Sequence, residues 1–293
     1  MGTRLALAVV WCLHWLPYPL LARLGSALGR LLFLLPTERR RVALTNLALC
    51  FPELSETARR DLARAHFCAF ARSLLDRGIA WWASRERLLR IVRVEGWEHV
   101  LPLIGRPLIL LAPHFVGLDI GAQRLAAEHR AVSMYSRQKN PVFDAFLRAK
   151  RNRFGSVTLV SRQEGVRPLV RAMRAGLPLY YLPDMDLGER DSIFVPFFGV
   201  AAATVPALGG LARLLPGAAV VPCVTEQLAD RSGYIVRFHP PWRDFPSTGP
   251  DCDHVDARRM NAFIEQRVRE LPAQYHWLHK RFKTRPPGEP SLY

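Results

Sequence analysis

The 293-residue sequence predicts an α/β protein: a membrane-associated N-terminal helix or helices, then a domain with a central, largely parallel sheet flanked by helices. Three observations predict it. Leu5–Ala22 is a run of 18 residues without a formal charge. Apolar residues recur at threes and fours between Thr37 and Arg90, the period of helices packed on one face. From residue 91, short runs rich in Val, Ile, Leu and Tyr alternate with helical segments. The length suits one large domain or two small ones, given typical domains of roughly 100–200 residues. With 49% hydrophobic and 23% charged residues, the chain is not disordered.

Residues 1–36 read as a hydrophobic anchor. The uncharged run is near the ~20 apolar residues of a spanning helix, but His14, Pro17 and Pro19 interrupt it. A signal peptide normally has a shorter apolar core and a small-x-small cleavage site, so an uncleaved anchor is expected, with buried soluble helices as the alternative. Whether it spans the bilayer or lies in the interface is left open. The cluster Arg39–Arg41 suits a cytoplasmic flank and places the body of the protein in the cytoplasm.

Residues 37–284 form the main domain, helical over 37–90 and α/β over 91–284. Helical periodicity runs through Val42–Leu49 and Ala58–Leu75, and Ser55 before Glu56 marks a helix start after the break at Phe51-Pro52. Expected strands are Ile91–Val94, Leu108–Ala112, Ala131–Tyr135, Val157–Val160, Leu177–Leu182, Ala218–Val224 and Tyr234–Phe238. Residues 285–293, with three prolines and a glycine, read as an irregular tail. In Asp251-Cys-Asp253-His254-Val-Asp256, a helix start with Asp253 at the N-cap is preferred to a metal site. Tyr275–Lys283 interleaves aromatic and basic residues, which suits a membrane interface or a helix end with cations on the dipole.

Lys and Arg total 41 against 25 Asp and Glu, a net charge of +16, and only four of the cations are lysine. Such a charge admits nucleic acid, an anionic membrane or acidic substrates as partners. No helix-turn-helix, zinc-finger or RNP-like pattern supports nucleic acid, and the cations are spread rather than collected in a tract. The five cysteines lack a CxxC pair and read as reduced thiols.

The apolar run Leu108–Ala112 ends in Pro113-His114, where ligands bind beyond the carboxyl ends of strands. Asp119 lies five positions on. A continuous helix would turn these side chains ~140° apart, but a helix starting near Gly117 lets Asp119 turn back to the imidazole. A carboxylate on one ring nitrogen leaves the other free as a general base. A loop histidine and a carboxylate favoured by the helix dipole are the bland alternative.

This segment resembles the His-x4-Asp/Glu motif of glycerolipid-type acyltransferases, and more closely the lipid A biosynthesis (lauroyl/myristoyl) acyltransferase family of Gram-negative bacteria. The resemblance extends over essentially the whole chain. It covers Arg41–Glu53, Lys139-Asn140-Pro141, Leu182–Gly188, Phe194–Gly199 with Ala203-Thr204, Asn261–Glu265 and Gln274–Lys283. Met185 departs from the Gln that many members carry between the two aspartates.

The resemblance implies a glycerolipid-acyltransferase-like fold and transfer of an acyl chain from acyl carrier protein to a hydroxyl of a lipid A precursor, without metal or cofactor. A lysophospholipid or another glycolipid is the alternative acceptor, and a non-catalytic basic protein the alternative class. His114 is the implied general base and Asp119 its partner. Arg162 is the oxyanion or phosphate candidate, unless it is a solvated surface arginine. Tyr135, Lys139, Asn140, Asp184, Asp186 and Thr204 are the candidate substrate contacts, the two aspartates otherwise forming a polar turn after a strand. Arg137, Arg148 and Lys150 are further phosphate or carrier contacts.

Overall fold

A computed structural model describes residues 2–293. Ten helices and nine strands are present among them: α1 (Gly2–Leu13), α2 (Tyr18–Leu34), α3 (Glu38–Cys50), α4 (Glu56–Trp82), α5 (Arg85–Ile91), β1 (Val92–Glu95), β2 (Leu108–Leu111), α6 (Leu118–Ala126), β3 (Ala131–Tyr135), α7 (Pro141–Arg151), β4 (Val157–Ser161), α8 (Arg167–Arg174), β5 (Leu179–Tyr181), β6 (Ile193–Phe197), β7 (Val200–Thr204), α9 (Ala207–Leu214), β8 (Ala219–Gln227), β9 (Tyr234–Phe238) and α10 (Cys252–Glu270).

Seven strands form one sheet in the order β1-β9-β8-β2-β5-β3-β4. From β8 to β4 the strands are parallel; β9 pairs antiparallel with β8 and carries β1 parallel to itself. All seven expected strands are there, within a few residues at their ends. The α/β class holds, and the sheet is largely parallel because helices return the chain between most of its strands.

The period-2 alternation of β2 divides the interior. Ile109 and Leu111 face a core shared with α3, α8, α9, α10 and the C-terminal segment, while Leu108 and Leu110 face one shared with α2, α4 and α6. Helix starts follow side-chain chemistry: Thr37, Ser55 and Ser84 each accept a backbone N–H from the residue three further on.

The uncharged N-terminal run is broken in two at residues 14–17, after which Pro17 stands at the N-cap of the next helix and Pro19 in its first turn. No single helix among the described residues is long and apolar enough to cross a membrane; α2 and α3 together qualify by length and composition but bend by 90°. α2 shares a core with the rest of the molecule rather than standing apart as an anchor. Gly25 and Gly29 let it lie against α4 so closely that a Cβ at Gly29 would meet the Cys68 Cα at 2.4 Å. α1 buries none of its residues, and Leu5 and Trp11 on α1, Trp15 in the connection and Leu31 and Leu34 on α2 remain exposed.

Two local expectations are corrected. The N-cap of α10 is Asp251, with no side-chain bond; Asp253 and Asp256 instead grip Arg213 of α9, the latter at 2.7 Å. Tyr275–Lys283 is neither a helix end nor an interface belt: it is irregular, and Tyr275, Trp277 and Phe282 belong to the core. The tail 285–293 is irregular as expected, yet held down, with the Tyr293 hydroxyl donating to Asn46 and accepting the Phe282 N–H.

Candidate active site

Strand order builds the site. β5 lies beside β2 in parallel, with Leu111 opposite Tyr181, and three residues beyond each comes a polar side chain: His114 and Asp184. The equal offset brings together residues 70 positions apart. Nδ1 of His114 lies 2.7 Å from Oδ1 of Asp184, and both carboxylate oxygens accept the His114 backbone N–H at 3.1 Å.

The C-terminal segment closes the other side. Val116 donates to the Gln274 carbonyl at 2.8 Å, and the His114 carbonyl accepts from the His276 N–H at 2.9 Å. The imidazole is thus fixed from two directions. With Nδ1 donating to Asp184, Nε2 makes no hydrogen bond among the described residues, and the side chain stays 21% exposed.

Burial opposes ionisation of Asp184, but the His114 ring and its hydrogen bonds, with Arg281 nearby, bring its carboxyl down to about 2. The acid is therefore a permanent anion. Burial together with this anion pushes the Tyr275 phenol well above its ordinary range. Burial, reinforced by neighbouring positive charge, lowers His276 to about 4 and His279 to about 3, so both rings stay neutral near pH 7. His279 uses this state: its Nε2 accepts the Asp186 N–H at 2.9 Å.

Asp119 does occupy the first turn of α6, which starts after Gly117, but it does not orient His114. Its carboxylate takes Arg77 of α4 at 3.1 Å and Arg151 of α7 at 3.7 Å. Against the upward push of burial, these guanidinium groups hold the Asp119 carboxyl below its ordinary value, with a smaller contribution from His114. The bond expected from Asp119 is made by Asp184, because sheet pairing fixes Asp184 opposite the ring while two arginines claim Asp119.

The remaining candidates divide. Asp186 is buried in the wall, accepting from the backbone and hydroxyl of Thr284 at 2.7 and 2.8 Å. Thr204 accepts from the buried Arg281 at 3.1 Å and donates to the Ala202 carbonyl, so its hydroxyl is occupied inside the protein. Asn140 caps α7 through the Val142 and Phe143 N–H groups. Tyr135 ends β3 buried, with Arg148 stacked 5.7 Å from its ring, while Lys139 and Arg137 are exposed and Lys150 lies over Trp82. Arg162 is exposed just past β4 and pairs with no carboxylate among the described residues. Three strand spacings, ~14 Å, separate β4 from β2.

Arg77, Arg151 and His276 were not among the candidates. Arg77 sits inside a long helical pattern where nothing distinguishes it from other arginines, and only the fold brings it to Asp119.

A carboxylate-held imidazole with a free nitrogen at a strand end can accept a proton from a hydroxyl. Buried Cys223, its thiol pushed up by burial, offers no thiolate.

Comparison with known proteins agrees. The sequence profile of the bacterial lipid A biosynthesis acyltransferases matches residues 1–284. The chain is 35% identical to the lipid A biosynthesis lauroyltransferase of Escherichia coli (strain K12) over 296 positions, covering 99% of this chain and 94% of that one. It is 36% identical to the lipid A biosynthesis myristoyltransferase of the same organism over 278 positions, covering 94% and 83%. With the palmitoleoyltransferase of that organism the identity is 31% over 294 positions, covering 99% and 94%.

Proposed function

The chain belongs to the bacterial lipid A biosynthesis acyltransferase family, and from that premise we propose that it moves a fatty acyl chain from acyl-acyl carrier protein to a hydroxyl of a lipid A precursor, with His114 as general base. The observation that carries the mechanism is the His114–Asp184 pair with Nε2 open to substrate.

The acceptor hydroxyl gives its proton to Nε2 as its oxygen attacks the thioester carbonyl. A C–O bond forms, the C–S bond breaks, and the departing sulfur takes the proton from the imidazolium. Asp184 holds the tautomer and balances the charge that appears on the ring. Assistance of this kind typically contributes ~10²–10⁴-fold. Asp119 anchors Arg77 and Arg151 beside the histidine. Arg162, several strands away, suits a substrate phosphate better than the oxyanion.

The exposed apolar side chains of α1 and α2 support a position on the inner membrane with the site on the cytoplasmic side. Replacing His114 by Ala and following acyl transfer from acyl-carrier protein in membranes tests the reading. Transfer is expected to fall at least 10²-fold with membrane association kept; full retained transfer would remove His114 from the chemistry.

A further inference from the structure

A cavity of about 260 Å³ opens between α2, α4 and the β8–β9 turn. Its volume lies below the ~300–1,000 Å³ of most ligand pockets, which suits a headgroup rather than an acyl chain. Three elements each bring one arginine to its wall: Arg30 from α2, Arg72 from α4 and Arg231 from the turn. No Asp or Glu lines it, and none of the three arginines forms an ion pair among the described residues.

Arg72 is the informative one. It is only 8% exposed, its Nε has no hydrogen-bond partner, and its one bond is a long 3.4 Å contact from Nη2 to the Leu228 carbonyl. A guanidinium buried in this way calls for an anion. The nearest carboxylate, Asp76 one turn further along α4, feels the charge of Arg72 but neither bonds nor ion-pairs with it: its Oδ2 accepts from the Tyr18 and Tyr234 hydroxyls and its Oδ1 has no partner, while Asp230 accepts from Ser232. Gln227 in the same wall has an unpartnered Oε1, since its amide nitrogen donates to Ala69 and Tyr234. Arg231 reaches its place through a left-handed backbone, φ 61°, which a non-glycine residue adopts only when the surroundings hold it there. Arg30 stands beside the exposed Leu31, one turn before the exposed Leu34.

We propose that this cavity binds the phosphate group of an anionic membrane-lipid headgroup, gripped by Arg30, Arg72 and Arg231, with Gln227 accepting a headgroup hydroxyl. Arginine suits phosphate because its planar fork donates two parallel hydrogen bonds. The lipid half of the proposal rests on the membrane position proposed above for α1 and α2; the phosphate half rests on the cavity. Gln274, another wall residue, exchanges hydrogen bonds with Gln227 and accepts the Val116 N–H, so the bound headgroup adjoins the segment that fixes His114.

The test uses the full chain in detergent with three probes: short-chain phosphatidylglycerol, short-chain phosphatidylcholine and inorganic phosphate. Phosphatidylglycerol is expected to bind saturably, at least tenfold tighter than either other probe. The double variant Arg30→Gln/Arg231→Gln, at the rim where folding is not at stake, is expected to weaken it at least tenfold. Arg171→Gln/Arg174→Gln makes the same charge change on the exposed face of α8 and is expected to stay within twofold. Equal loss in both double variants means bulk charge alone, equal binding of inorganic phosphate means a free-phosphate site, and absence of saturation means no site; each overturns the proposal. His114→Ala, measured alongside, separates the two readings. Lipid binding with transfer retained in His114→Ala sinks the mechanism alone, whereas normal wild-type transfer without lipid binding sinks the cavity alone.

Discussion

His114 and Asp184 stand three residues beyond paired strand positions, Asp119 in the first turn of the helix that follows His114, and the two carboxylates invite different losses. Asp184→Asn keeps the size of the side chain but removes the anion that holds the Nδ1 proton. Turnover is expected to fall ~10²-fold or more, within the range of general-base assistance, with KM little changed. Asp119→Asn releases Arg77 and Arg151, and its loss is expected mainly in KM. Steady-state kinetics on the two variants decides: turnover abolished in Asp119→Asn and preserved in Asp184→Asn would restore Asp119 as the orienting carboxylate. The sequence made His114 legible through its place after an apolar strand. The choice of Asp184 over Asp119 was not legible, because it depends on β2 pairing with a strand some 70 residues away and on two arginines arriving from α4 and α7.

At the scale of elements, the parallel strands were readable because each is a short apolar run bounded by polar residues. The hairpin β6–β7 was not. Pro196 breaks the look of a strand, and β7 is three alanines long at its centre. Its turn is Phe198-Gly199, both at positive φ (52° and 77°), where Asn-Gly would have announced the two-residue hairpin. Nor does periodicity reveal that α2 belongs to the core, since an apolar stripe facing α4 and one facing lipid look alike in sequence. The glycines on α2 carry that information. Gly29→Val is expected to drive α2 from α4 and cost about 1–3 kcal/mol, as overpacking does. Gly210 on α9 has open space around its missing Cβ, and Gly210→Ala is expected to gain about 0.4–1 kcal/mol. Thermal unfolding of both variants in one detergent checks the pair; a neutral Gly29→Val would mean that α2 is not packed on α4.

For the whole molecule, the pH dependence of stability follows from histidines that folding keeps neutral. Burial lowers His66 to about 3, His239 and His276 to about 4 and His279 to about 3, against an unfolded value near 6.5. Between roughly pH 4 and 6.5 the unfolded chain therefore binds more protons than the folded one at each of these sites, and stability falls as the pH falls. Asp76 works the other way: burial raises it to about 6, so from about pH 4 to 6 the folded state holds a proton that the unfolded state has released. Four sites against one leave the first trend in control. Each proton corresponds to about 1.4 kcal/mol per pH unit at full burial, the condition His66 meets. The melting temperature is expected to drop continuously from pH 7 to pH 5, and His66→Gln to make that drop shallower by the share of one proton whatever its effect at pH 7. A melting temperature that is flat or rising toward pH 5 would mean that these rings titrate normally. Acid also reaches the site through the same groups, since a protonated His279 can no longer accept the Asp186 N–H, and the wall beside Asp184 opens together with the fold.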